Sequence, residues 1–443
     1  MNPRVFIQVY GCQMNKLDAE LVLGVLQRAG YEQATTPDDA DVVLYLTCSV
    51  REHAEARVYS NVGKLKFLKR RRPDVVIGIL GCMAQKDQEQ IFNRLPHVSL
   101  VCGTREFPRI AELVEQARVE GPVLACAEHP FEGVERNPAA RPTPFQAYLS
   151  VMRGCDNFCT YCIVPYVRGR EISRPSQEVC DEARRLIEDG VREITLLGQN
   201  INSYGKSFGR PHALADLLQD LGSIKGLDRL RFVTSHPKDM AQPILDAMRD
   251  VPAVCEYLHM PAQAGSDRIL KRMNRQITNM GYRELVTRAR ETVPGLAVAS
   301  DFIVGFPGET RSDFDETDKL VRDLRFQNCF VFKYSPRSGT RAASFDDNVP
   351  QEEKKRRNIE LLATQERNSR QEHVKLVGQV VEVLVEGISP RDPARYSGRT
   401  RTNHIVVFPC DRDLSGRMLQ VRIAETTALT LAGLIEESSL EEP

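Results

Sequence analysis

The sequence predicts an α/β protein in three parts: an N-terminal doubly wound parallel sheet domain, a central partial (β/α)6 barrel and a small C-terminal all-β barrel. Three observations lead there. From Arg4 to Cys102, short strand-like runs alternate with helix-period segments, as in a parallel sheet wrapped by helices. From Ala147 the alternation resumes with six strand candidates, as in a parallel barrel. Beyond about Leu376 the helices stop, and short strands alternate with turns. At 443 residues and 42% hydrophobic content, the chain can hold and fill three such domains. Their expected spans are 3–120, 141–371 and 374–437, with a linker over 121–140.

In the first domain Arg4–Tyr10 alternates as a strand, and Cys12 follows it. Leu17, Leu21, Val25 and Leu26 have helical spacing that stops at Gly30. Asp41–Leu46 is a second strand with Cys48 just after it, and a basic helix runs from about Val50 to Arg72. Its run Lys64–Arg72 reads as a solvated face. Val75–Leu80 precedes Cys82, and another helix and a short strand lead to Cys102. Sites in such sheets form outside the carboxyl ends of the strands. A lone cysteine is ordinarily a buried core thiol, but Cys12, Cys48 and Cys82 fall at equivalent strand ends and are expected along one edge. Cys102 has a similar placement, and position alone does not exclude it. Residues 121–145 are rich in Pro, Glu and Arg, including Pro130, which marks the linker.

The second domain opens on Arg153-Gly154-Cys155-Asp156-Asn157-Phe158-Cys159-Thr160-Tyr161-Cys162. The C-x3-C-x2-C spacing lets one loop wrap three soft ligands around one metal centre. Three thiolates suit a 4Fe–4S cube and leave its fourth iron without a protein ligand. A zinc site would close with a fourth Cys or His nearby, and none follows Cys162 before Cys180. The strand candidates are 147–152, 191–197, 229–234, 254–260, 297–304 and 328–334, with helices at Ser176–Glu188, Met240–Asp250 and Thr310–Leu324. Polar clusters fall where the strands end: Gly198-Gln199-Asn200, Ser235-His236-Pro237, Gln263-Ala264-Gly265-Ser266 and Gly305-Phe306-Pro307-Gly308-Glu309. Position alone makes Gln199 and Ser235 candidate cofactor contacts. Gly198–Ser207 has six residues between Gly198 and Gly205-Lys206 where a phosphate loop has four, so that reading is rejected.

After a helix from Gln351 to about Leu376, Val380–Val385, His404–Phe408 and Met418–Ile423 read as strands. Residues 391–404 carry Arg391, Arg395, Arg399 and Arg401 against one acid, Asp392. On a small barrel such a basic turn is a candidate oligonucleotide surface. The tail from Glu436 is acidic and expected to be disordered. Net charge is +0, so any nucleic-acid surface is local. No run of eighteen apolar residues and no apolar leader is present. With twelve cysteines, this points to a reducing, cytoplasmic setting without a membrane role.

Taken together, these residues resemble the radical S-adenosylmethionine (SAM) methylthiotransferases. The likeness rests on Cys155-x3-Cys159-x2-Cys162 with Tyr161, on the upstream Cys12, Cys48 and Cys82, and on Tyr161–Tyr166, Leu197–Gly205 and Ser300–Thr310. Gly398-Arg399-Thr400 is similar to the branch that acts on tRNA, whose last domain is a TRAM barrel. The one departure is Ala264, where the family more often has Ser. The resemblance implies two 4Fe–4S clusters, held by Cys12, Cys48 and Cys82 and by Cys155, Cys159 and Cys162. It implies two SAM molecules per turnover, one cleaved reductively and one donating methyl. It also implies a flavodoxin- or ferredoxin-type electron donor, with an iron–sulfur carrier as a further partner. The backbone at Tyr161 is expected to meet the SAM adenine, with Gln263, Arg275 and Asp301 holding the ribose and methionine ends. The implied substrate is the anticodon arm of tRNA, methylthiolated at carbon 2 of N(6)-dimethylallyladenosine. Threonylcarbamoyladenosine and a ribosomal-protein aspartate are the alternatives. Arg168, Arg170, Arg174, Arg399 and Arg401 are the expected RNA contacts.

Overall fold

The computed structural model describes residues 2–48, 52–127 and 136–439. It divides into two units, Met1–Asp156 with Cys162–Ile172, and Asn157–Tyr161 with Ser173–Pro443. Within the first unit six strands pair in parallel, in the order Glu32–Gln33, Arg4–Tyr10, Val42–Thr47, Val76–Gly81, Leu100–Cys102 and Val123–Ala125. Four of these are legible in the sequence. The edge strands Glu32–Gln33 and Val123–Ala125 are too short to show a period, and the latter carries the sheet into the segment expected to be linker. Pro130 in that segment lies outside the described residues.

Helices on both faces bury Val42–Thr47 and Val76–Gly81 throughout. Val42, Leu44 and Leu46 pack with Val22, Leu26 and Ile110 on one side, and Val43 and Tyr45 with Val58, Val62 and Ile91 on the other. The basic segment forms two helices, Glu52–Lys64 and Lys66–Arg71, rather than one. Its expected start at Val50 lies outside the described residues.

Register is what positions the cysteines. Tyr10 pairs with Thr47, and Thr47 with Gly81, so three adjacent strands end level. Cys12, Cys48 and Cys82 come one or two residues later. At Gly81 the backbone takes φ +96°, and a Cβ there would stand 3.0 Å from the Thr47 carbonyl oxygen. The sharp exit into the helix Cys82–Asp87 therefore requires glycine.

Of the six strands expected for the barrel, Gln146–Ser150 groups with the first unit. The other five lie in the second. Glu193–Leu197 pairs with Arg229–Phe232, and a bridge from Leu230 to Val254 continues toward Tyr257–His259. Tyr257–His259, Ala297–Val304 and Asn328–Lys333 then pair in parallel. Helices Ser176–Glu188, Gln242–Asp250 and Arg311–Leu324 fall where the apolar spacing puts them.

The helix Gln351–Val374 leads to a closed five-stranded barrel. Its strands, in order around the barrel, are Val380–Ser389, Asp392–Thr400, Ile405–Pro409, Thr430–Ile435 and Met418–Thr426. Val383, Val385, Val406, Phe408, Leu419, Val421 and Leu431 fill it. The stretch expected to be a basic turn is mostly the strand Asp392–Thr400. Long charged side chains at its outer positions mask the apolar period. The acidic tail is described only to Ser439.

Candidate active site

In the first unit Cys12 caps the helix Gln13–Arg28. Its Sγ lies 3.3 Å from Asn15 Oδ1 as donor. Asn15 is fully buried, and its Nδ2 donates to the Thr47 carbonyl at 3.4 Å. The backbone N–H of Cys48 donates to the Tyr10 carbonyl at 3.0 Å, which ties the second strand end to the first. A hydrogen bond from Cys48, helped by Arg168 and opposed by burial, brings the Cys12 thiol down to about 6. Burial pushes Cys82 up, while Arg168 acts against it. At Cys12 the surroundings favour thiolate, the form that binds metal. Among the described residues no three Cys, His or carboxylate side chains stand ready around a single ion. A cubane asks for a different spacing, because each thiolate binds its own iron.

Cys102 differs from this trio. It pairs with Leu80, two residues short of Cys82 in register, so it lies within its strand and in the hydrophobic core. The position equivalent to Cys82 is Thr104, whose hydroxyl donates to the Val167 carbonyl and accepts from Arg153.

The C-x3-C-x2-C loop is divided between the units, and each part is anchored in its own. In the first, the Cys155 N–H donates to the Gly169 carbonyl at 3.2 Å. Gly154 has φ +78°, and a Cβ there would come within 2.0 Å of the Arg170 carbonyl oxygen. In the second, Thr160 N–H donates to the Met273 carbonyl, Thr160 Oγ1 to that of Arg272, and the Thr160 carbonyl accepts from Ala342. Tyr161 packs against the cluster of Ala264, Met273 and Phe306.

Arg275 is 4% exposed. Nη1 lies 3.5 Å from Cys159 Sγ, and Nη2 donates to the Pro261 carbonyl. Its Nε, Ser235 Oγ, His236 Nε2 and Asn200 Oδ1 are all buried without a partner among the described residues. Buried polar atoms are nearly always satisfied. Asn200, Ser235 and His236 lie just beyond barrel strands and Arg275 reaches the Pro261 carbonyl, so a polar ligand at these strand ends would satisfy buried donors and an acceptor. His236 is fixed for the task. Lys238 N–H donates to its Nδ1, so the neutral ring carries its proton on Nε2. Burial and then Arg275 hold its pKa down to about 2. Asn202 brackets the His236 backbone, accepting from its N–H and donating to its carbonyl.

Gln263 adopts φ +79°, a costly conformation for a residue with a Cβ. It is held there by two backbone bonds of 2.9 Å, its N–H to the Asp301 carbonyl and Ile303 N–H to its own carbonyl. The Asp301 carboxylate faces His259 Nε2 at 3.0 Å. Gln199 is partly exposed beside Asn200. Asn200 and His236 lie in the strand-end clusters the sequence marks and Asn202 in the stretch Leu197–Gly205, whereas Asn15 and Thr104 have no local signal.

Two of the five arginines expected at RNA are engaged within the protein. Arg168 is 5% exposed and donates to Asp18 at 2.5 Å, out of reach of a phosphate. Arg401 spends Nε and Nη2 on the Glu256 carboxylate and on the carbonyls of Pro252 and Val254. Arg231 reciprocates, donating to the carbonyls of Thr400 and Arg401, and Arg229 donates to that of Arg399. This latch holds the small barrel to the amino ends of strands whose carboxyl ends carry the orphaned atoms. Arg174 faces Glu182 at 2.7 Å. Arg170 pairs with Asp156 but is 74% exposed, and Arg399 pairs with Glu386 at 35% exposure.

Residues 149–321 match the Radical SAM superfamily, 374–434 the TRAM domain and 4–103 the uncharacterized protein family UPF0004. The chain is 45% identical to a tRNA-2-methylthio-N(6)-dimethylallyladenosine synthase of Rhodopirellula baltica, over 98% of this chain and 96% of the relative. It is 44% identical to synthases of the same name from Acetivibrio thermocellus, over 97% and 90% of the two chains, and Moorella thermoacetica, over 96% and 97%. Among solved structures, the radical SAM methyltransferase TsrM of Kitasatospora setae is similar in fold. It has a TM-score of 0.57 at 13% identity over 77% of each chain.

Proposed function

The chain belongs to the tRNA-2-methylthio-N(6)-dimethylallyladenosine synthases, radical SAM enzymes with a TRAM domain, and from that premise we propose that it works with two 4Fe–4S clusters, each held by three cysteines. It transfers a methylthio group to carbon 2 of N(6)-dimethylallyladenosine, at position thirty-seven beside the anticodon. Cys155, Cys159 and Cys162 hold the cluster that binds SAM. Cys12, Cys48 and Cys82 hold the auxiliary cluster. Bound there, these groups supply the reductive cleavage of SAM and the breaking of an unactivated C–H bond, which no side chain achieves.

The chain's own residues bind and orient. Arg275 offers Nε from a buried, fixed guanidinium, suited to the SAM carboxylate. Ser235 Oγ, His236 Nε–H and Asn200 Oδ1 line the same strand ends and complement the amine, carboxylate and ribose hydroxyls. Gln263 and Asp301, joined through their backbones, hold the ribose and methionine ends, and the Tyr161 backbone meets adenine. Gln199 adds a further contact at these strand ends. Because His236 stays neutral, it donates without adding charge near SAM. The barrel and Arg170 and Arg399 hold the anticodon arm, whose loop bases are already partly unstacked and cheap to extrude. A flavodoxin- or ferredoxin-type donor supplies electrons, and an iron–sulfur carrier supplies clusters.

The main support is the level ending of three strands that sets Cys12, Cys48 and Cys82 side by side. The test is anaerobic reconstitution with prenylated tRNA, SAM and a reductant. The expected product is the 2-methylthio nucleoside. An enzyme that cleaves SAM but leaves prenylated tRNA unchanged would contradict the reading.

A further inference from the structure

We propose that Arg168, oriented by Asp18, is the fixed-charge partner and positioning residue of the cluster held by Cys12, Cys48 and Cys82. This rests on the two-cluster reading above. The helix Val164–Arg168 begins two residues after Cys162, yet it packs on the other cysteine set: Ile163 and Val167 share a small core with Cys82. Its last residue therefore enters the interior of the first unit, where Arg168 is buried and Nη2 donates to Asp18 Oδ2 at 2.5 Å. Arg168 directly follows Val167, which packs on Cys82, and its charge acts on both Cys82 and Cys12. Asp18 comes from Gln13–Arg28, the helix that Cys12 caps. One helix thus supplies a cluster ligand and the carboxylate that aims the cation.

A guanidinium keeps its proton at every working pH and offers five donors, more than one carboxylate can use. Burying it is unfavourable unless negative charge is near. An oxidised cubane with three thiolates is such an anion, and reduction makes it more so. A cation held against the sulfurs favours the reduced cluster and raises its potential, and N–H donors to sulfur act in the same direction. Arg168 also ties the helix Val164–Arg168 to the helix capped by Cys12, within the first unit.

The parent for the test is the full chain with Cys155, Cys159 and Cys162 changed to Ala, which leaves only the auxiliary cluster. Redox titration followed by electron paramagnetic resonance reads its midpoint potential. Arg168→Gln lowers the potential by at least tenfold in the reduction equilibrium, about 59 mV for one electron. Asp18→Asn removes the anion and leaves the cation, so it shifts the potential upward. Arg168→Lys stays near the parent. Shifts of opposite sign follow from charge and not from a packing role. If Arg168→Gln holds no iron, the other two variants decide. An upward shift in Asp18→Asn with retention in Arg168→Lys supports the proposal. Iron loss in all three variants, or unchanged potentials, overturns it, as does a tRNA-binding salt slope flattened by Arg168→Gln in the otherwise unchanged enzyme. A parent without iron overturns the two-cluster reading itself, and this inference with it.

Discussion

Arg275 joins the cysteine loop to a barrel strand end: its Nη1 lies 3.5 Å from Cys159 Sγ while its Nη2 donates to the Pro261 carbonyl. Two of its three nitrogens are structural, and Nε is left for a ligand. A charge-assisted hydrogen bond contributes about 1.5–3 kcal/mol, so Arg275→Ala weakens SAM binding by roughly 10- to 100-fold and lowers turnover. Equilibrium binding of SAM to the reconstituted enzyme measures this. Unchanged affinity would make Arg275 a strut for the loop and nothing more.

Iron content separates the two cysteine sets. Changing Cys155, Cys159 and Cys162 together to Ala leaves about four irons per chain and abolishes SAM cleavage. Cys102→Ala leaves the iron content at its full value, because Cys102 lies inside its strand, with its thiol pushed well up by burial. Loss of iron on changing Cys102 would mean that the register argument picks the wrong ligands.

The three strand-end cysteines are legible in the sequence because a parallel sheet forces equivalent positions onto one edge. The same logic finds Asn200, Ser235 and His236 as members of polar clusters. It does not separate Cys102 from Cys82, since a two-residue difference in register has no local signature. Nor does it place Arg168. A basic residue after a cluster loop reads as a surface charge, and only the packing of Val167 and Ile163 on Cys82 turns it inward. The contacts of Arg401 are hidden from the sequence for the same reason. Its partners Glu256, Pro252 and Val254 lie about 150 residues away in sequence, and no periodicity reports a contact of that range.

The arginines of the small barrel divide by structure. Arg399→Ala removes a partly exposed cation and flattens the log–log salt dependence of tRNA binding by roughly 0.7–0.9. Arg401→Ala breaks the latch to Glu256 instead. With several charged hydrogen bonds lost, it destabilises the barrel by about 2–4 kcal/mol. Salt titrations of tRNA binding, paired with denaturant melts, tell these outcomes apart. Equal salt slopes for the wild type and Arg399→Ala would remove Arg399 from the RNA surface.

Stability should fall in mild acid. Burial, then His373, holds His404 down to about 4, whereas the unfolded ring titrates near 6.5. Between those values the unfolded chain binds a proton that the folded chain refuses. The contribution of His404 is therefore complete above about pH 6.5 and is lost as pH falls toward 4. His404→Gln makes stability less pH-dependent in that window, measured by denaturant melts at about pH 7.5 and about pH 5. An unchanged difference between the two pH values would assign the acid sensitivity to other groups.

Nucleoside mass spectrometry of tRNA from a strain lacking this gene tests the central claim most directly. The account predicts that 2-methylthio-N(6)-dimethylallyladenosine disappears and N(6)-dimethylallyladenosine accumulates in its place. The intact gene restores the methylthio nucleoside, and genes lacking either Cys12, Cys48 and Cys82 or Cys155, Cys159 and Cys162 do not. An unchanged level of the methylthio nucleoside in the deletion strain, or its restoration by either cysteine variant, would contradict the account.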